Sequence, residues 1–212
     1  MSREQSIRTI GLVCCFLALA VITRVGLANI AGSAHDFSAE SWNSSGEVCL
    51  PCHTSHNADP TITDAPLWNH EVTTATFTLY SSPFLQETPE QPQGTSKLCL
   101  SCHDGTVELE SFGGNTGSNF IGDTANLSTD LSDDHPISIE WLHQTVTSGS
   151  SGSCAQCHGM MHGNPYTSKL PFFDGYVECA SCHDVHNTSG YDGLLRMSNA
   201  GSALCLYCHT DK

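Results

Sequence analysis

Hydrophobic positions in this chain of 212 residues form few sustained periods. The longest apolar run, residues 10–22, lies near the N-terminus. Downstream, residues 72–80 are rich in threonine and β-formers and predict one strand of a hairpin. Residues 137–146 predict a short helix, and residues 200–209 another. Turn-rich segments at 61–66, 89–96, 113–122 and 148–153 separate these elements. Large aliphatic side chains are sparse. A chain normally offsets its ordering entropy by burying apolar area, so this pattern calls for a core that is not mainly protein.

The apolar run of 13 residues is short against the ~20 that cross a bilayer, and Arg24 interrupts any extension. Arg3 and Arg8 precede it, and Ala28, Ala31 and Ala34 follow as candidate last residues before cleavage. Residues 1–34 are expected to be a secretory signal peptide, cut between 28 and 34. No later stretch is long and apolar enough to span a membrane. The expected domain is then single, residues 35–212.

Cysteine and histidine change the picture, with 12 of each. Ten cysteines form five C-x-x-C pairs: Cys49 and Cys52, Cys99 and Cys102, Cys154 and Cys157, Cys179 and Cys182, Cys205 and Cys208. Each pair is followed at once by a histidine: His53, His103, His158, His183 and His209. Two cysteines so spaced reach the two vinyl groups on one edge of a haem, and the next histidine meets the iron. A lone C-x-x-C also serves zinc or redox dithiols. A zinc ion usually takes two such pairs and needs no histidine after each. A disulfide scaffold gives no reason for the histidines. Five covalent haems c follow, and export suits them, because c-type haem is attached outside the cytoplasmic membrane.

The second axial position of each iron decides the chemistry. Methionine there raises the potential, histidine lowers it, and a vacancy admits substrate. Beyond the leader there are three methionines, Met160, Met161 and Met197. There are seven histidines outside the motifs: His35, His56, His70, His135, His143, His162 and His186. Seven candidates for five positions suit bis-histidine ligation throughout. His56 and His186 each follow a motif histidine by three residues. Three residues reach at most ~10 Å, too little to pass round the macrocycle to the same iron. Each is expected to ligate a neighbouring haem, forcing haems into contact.

These motifs resemble those of the bacterial multihaem cytochromes with doubled C-x-x-C-H motifs. The resemblance rests on Ala34-His35-Asp36-Phe37-Ser38, on residues 49–57, on Ala65-Pro66-Leu67-Trp68-Asn69 and on residues 96–106. It continues through Asp134-His135-Pro136-Ile137-Ser138, residues 177–187 and residues 204–209. It implies that His35, His56, His135 and His186 are the distal ligands of a tetrahaem core. It also implies a periplasmic or extracellular carrier, and some tetrahaem relatives assemble into extracellular filaments. The motif at Cys154, Cys157 and His158, after a Gly/Ser linker, departs from the tetrahaem pattern and reads as an insertion near 148–165. Its sixth ligand is expected to be His162, then His143, then His70, which could instead bond a propionate. The expected fold is mainly coil with short helices and one β-hairpin, wrapped around a stacked haem array.

The formal charge is −15. From residue 36 onward only Lys97, Lys169, Arg196 and Lys212 are basic. Such a surface repels nucleic-acid phosphates. It suits basic redox partner proteins, or metal or oxide acceptors. The leading reading is an electron conduit, with self-assembly into filaments compatible with it. The alternative is a small multihaem reductase of a nitrogen or sulfur oxyanion, which needs one open haem.

Overall fold

The computed structural model describes residues 29–85, 87–140 and 170–209. The apolar run at 10–22, and Cys154, Cys157, His158, His143 and His162, lie outside the described residues. The elements within them are short. Helix α1 is Gly94–His103, strands β1 and β2 are Ile139–Glu140 and Tyr176–Val177, and α2 is Cys179–Cys182. Single 3-10 turns at Asp192–Leu194 and Ala200–Ser202 precede α3, Ala203–Cys208. The rest is coil and turn, as the sparse apolar pattern implies.

Helix α1 starts inside a segment that composition marks as turn-rich. Gln93 stands at its N-cap and offers no side-chain cap. The missing acceptor comes from far along the chain. The Glu178 carboxylate takes hydrogen bonds from the Ser96 backbone and hydroxyl, and the Ser138 hydroxyl accepts the Gln93 N–H at 3.0 Å. Gly94 has φ of +50°, and a Cβ there would stand 3.6 Å from both Glu178 Oε1 and Asp64 Oδ1. Glu178 also caps its own helix, α2, reciprocally with Ser181. The Cys179 N–H donates to Ser96 Oγ at 2.8 Å. The N-termini of α1 and α2 are thus docked on each other through Ser96 and Glu178.

Strands β1 and β2 pair antiparallel, Ile139 with Val177 and Glu140 with Tyr176. This short ladder brings Ser138 to Glu178, whose carboxylate accepts the Ser138 hydroxyl at 3.1 Å. The helix expected over 137–146 is corrected over its described part. Ser138 has a left-handed φ of 48°, which breaks a helix, and Ile139 and Glu140 are strand; residues 141–146 lie outside the described residues. The hairpin strand expected at 72–80 is corrected too. The Gln91 side-chain amide satisfies both backbone groups of Phe77, at 2.8 and 2.9 Å. Thr78 meets 129–131 in a single parallel bridge. A side chain and a distant coil take the hydrogen bonds that a hairpin partner would supply. The helix expected at 200–209 forms as α3 with a preceding 3-10 turn.

Phe77, Leu100 and Leu131 make the apolar core cluster, flanked by Ala75, Leu79 and Ile137. Among the described residues, seven large hydrophobic side chains are buried against eleven polar or charged ones. The interior is therefore held largely by hydrogen bonds. One such network joins Thr73, Ser101 and Asp104: the Thr73 N–H donates to Ser101 Oγ at 3.0 Å, and its hydroxyl to Asp104 Oδ2 at 2.5 Å. Buried polar groups are tolerable only when paired in this way.

Candidate haem-binding site

Each described C-x-x-C-H motif is built as a helical turn. The His53 N–H donates to the Cys49 carbonyl at 2.8 Å, His183 to Cys179 at 3.0 Å and His209 to Cys205 at 2.9 Å. Cys99, Cys102 and His103 form the end of α1. Residues at i and i+3 share one helix face, so both sulfurs of a motif point the same way. No disulfide joins the eight described motif cysteines. Burial pushes the Cys52 thiol up to about 11 and the Cys102 thiol up to about 12. A hydrogen bond with Cys179, together with burial, pushes Cys99 up. The same hydrogen bond lowers Cys179.

The motifs are neighbours although the sequence separates them. Cys52 is close enough to Cys102 to act on it electrostatically, Cys99 and Cys179 share a hydrogen bond, and Cys205 acts on Cys182. The first, second, fourth and fifth motifs form a connected series.

Three of the described motif histidines are aimed by backbone carbonyls. His53 Nδ1 bonds the Pro66 carbonyl at 2.7 Å, His103 Nδ1 that of Ala125 at 2.8 Å, and His183 Nδ1 that of Gly193 at 2.7 Å. A carbonyl only accepts, so Nδ1 carries the proton and Nε2 keeps its lone pair for a metal.

Three described motif histidines, His53, His103 and His209, are each faced by a histidine from elsewhere. His53 and His186 have ring centres 6.2 Å apart, 15° from parallel. His103 and His35 are 6.0 Å apart, and His209 and His135 6.3 Å. A histidine nitrogen binds a transition metal at about 2 Å, and its ring centre lies about 1 Å behind, so two rings on opposite sides of one ion stand about 6 Å apart. The spacing fits the axial pair of a haem iron. His35 is half-buried, and its Nδ1 is shielded from solvent and unpartnered. Burial, then the neighbouring His103 and His183, lowers it to about 4, so it is neutral at pH 7, as a ligand must be.

His56, His70 and His183 are outside these three pairs. His56 is exposed and lines a cleft of about 770 Å³ together with buried His70, Trp68 and Phe112. His70 turns its Nε2 to the Cys102 sulfur at 3.6 Å and bonds the Glu71 carbonyl through Nδ1.

The first and fourth motifs head two copies of one local unit. His53 forms a backbone bridge with Trp68, and His183 with Leu195. The carbonyl that holds each ring, Pro66 or Gly193, directly precedes a leucine in left-handed conformation, Leu67 with φ 55° and Leu194 with φ 56°. Asn57 and Asn187, each directly after the second histidine, are also left-handed, at 59° and 52°. The sequence displays the shared Cys-His-x-x-His-Asn of both units. It does not reveal the returning loops, whose only common signal is a leucine.

Asp104 and Asp184, directly after motif histidines, also brace the site, which motif spacing does not indicate. Asp104 accepts the Thr106 N–H at 2.7 Å. Asp184 accepts the N–H groups of His186 and Thr188, at 3.1 and 3.0 Å. Burial pushes Asp184 up, but the bonds from Thr188 and His186 and the charge of Arg196 outweigh it and leave the carboxyl below its ordinary value. The signal was the repeated Cys-His-Asp.

No helix among the described residues is long and apolar enough to cross a membrane. No curated protein matches the chain. Residues 170–212 match the family model of the doubled CXXCH motif. That segment holds the fourth and fifth motifs, and its match, with the turns and aimed histidines above, indicates covalent haem c binding of the kind found in multihaem c-type cytochromes.

Proposed function

We propose that the chain is an exported electron carrier, periplasmic or at the cell surface, with five covalent haems each held between two histidines. The observation that carries this reading is the facing of three motif histidines by three histidines from distant parts of the chain, at 6.0 to 6.3 Å. Haem bound there supplies reversible one-electron exchange at iron. The chain supplies the attachment cysteines, the aimed Nε2 atoms and neutral second ligands.

The pairs support His53 with His186, His103 with His35, and His209 with His135. The likeness of the two local units supports His56 as partner of His183, since His186 of one unit serves the other. For His158 the candidates stay His162, His143 and His70. Pairing across units supports the argument that a histidine three positions from a motif ligand cannot reach the same iron. An array with every iron closed by two histidines has no substrate position, which favours a conduit over a reductase. The acidic composition favours basic redox partner proteins, or metal or oxide acceptors. Filament assembly is compatible with this role.

Low-temperature paramagnetic resonance and carbon monoxide binding on the mature holoprotein test the reading. Low-spin signals from every haem and no rapid carbon monoxide uptake are expected. A stoichiometric high-spin haem that binds carbon monoxide would favour the reductase.

A further inference from the structure

The two local units differ at one position that touches the second histidine. In the unit headed by His183 that position is Asp184, which is buried. Its Oδ1 accepts the His186 N–H at 3.1 Å and lies 3.9 Å from His186 Nδ1. Its Oδ2 is fixed by the Thr188 N–H and hydroxyl. In the unit headed by His53 the position is Thr54, whose hydroxyl meets the His56 backbone, at 3.4 Å to N and 3.0 Å to O. Each second histidine is thus anchored through its backbone by the residue two positions before it. Only His186 also has a carboxylate beside its ring.

Two other described distal candidates, His135 and His35, show no such contact. His135 Nδ1 bonds the Pro136 carbonyl at 2.9 Å, and His35 Nδ1 has no partner. At 3.9 Å the carboxylate acts on the ring by its charge, and a negative charge beside the outer nitrogen of a ligating imidazole favours the tautomer with Nδ1–H and raises the basicity of Nε2. A more basic axial ligand stabilises the oxidised iron and lowers the potential.

We infer that Asp184 is a positioning residue that orients His186 and lowers the potential of the haem it serves, making the haems of the two like units unequal. The inference rests on His186 being an axial ligand. The difference between Asp184 and Thr54 therefore biases an electron shared by these two haems toward the one that His56 serves.

The test uses mature holoprotein and a redox titration followed by paramagnetic resonance. His186→Ala identifies the signal of the haem that His186 serves. Asp184→Asn keeps the acceptor oxygen but not the charge, and should shift that couple upward while the haem stays six-coordinate. Asp184→Thr copies the other unit and should do the same. Thr54→Asp should shift one different couple downward, the one whose signal is lost in His56→Ala. If His186→Ala opens no haem, the ligand assignment fails. If it opens one, and Asp184→Asn leaves that couple where it was, the positioning role is overturned while the ligand assignment stands. Equal shifts of all couples in Asp184→Asn would also overturn it, because they would report a general loss of charge.

Discussion

The Ser96 hydroxyl accepts the backbone N–H of Cys179 at 2.8 Å, across 83 positions of sequence. Ser96 is fully buried, and this bond ties the helix that ends in the second haem motif to the turn that begins the fourth. Ser96→Ala would leave a buried N–H unpaired and weaken the cap of α1. Such a loss costs about 1–3 kcal/mol. A lower denaturation midpoint of the holoprotein is expected. An unchanged midpoint would show that other contacts hold α1 on α2.

Glu178 sets a pH dependence whose sign follows from its surroundings. Desolvation, with the charge of Asp64 adding to it, raises its carboxyl above the ordinary value against the bonds from Ser96 and Ser138. Folding therefore favours the neutral acid. Its contribution to stability is full below the unfolded value near 4.5 and is lost as pH rises through the higher folded value. Glu178→Gln should flatten that fall and match or exceed the wild type at pH 7. Glu178→Ala should be weaker by about 1–3 kcal/mol, because both helix caps lose their acceptor. Denaturation midpoints across the acid-to-neutral range decide it. A steeper fall in Glu178→Gln would contradict the assigned sign.

Five complete attachment motifs imply five haems on the mature chain. Denaturing mass spectrometry should find five, with Cys154→Ala/Cys157→Ala reducing the number to four. Four in fully matured wild type would remove the third motif, at Cys154, Cys157 and His158, from the haem set.

His35 faces His103 of its own chain. His35→Ala should open the haem at Cys99 and Cys102 and leave all attachments intact. Wild-type protein should keep that haem six-coordinate on dilution, as read by its optical spectrum. Loss of the ligand on dilution, with filaments at high concentration by electron microscopy, would instead place His35 on a neighbouring subunit.

The sequence by itself determined the chemistry of attachment. The spacing C-x-x-C-H is local, so a single turn suffices to align two sulfurs and a histidine, and each described motif forms such a turn. The scarcity of aliphatic residues likewise predicted the coil-rich fold, because few apolar positions leave little to drive long helices or sheets. What tertiary structure decided is which distant groups meet. His186 faces His53 rather than the adjacent His183, and the loops that return Pro66, Ala125 and Gly193 to the motif rings carry no periodic signal, since a carbonyl is the same for every residue. Residues 72–80 have the composition of a strand, yet Gln91 takes the hydrogen bonds of Phe77, and no local propensity encodes such a side-chain partner. Helix α1 begins in a turn-like segment because its cap, Glu178, arrives from more than eighty residues away. Local spacing fixes what each motif can bind, whereas pairing across the chain depends on contacts that only the folded backbone brings within hydrogen-bonding range.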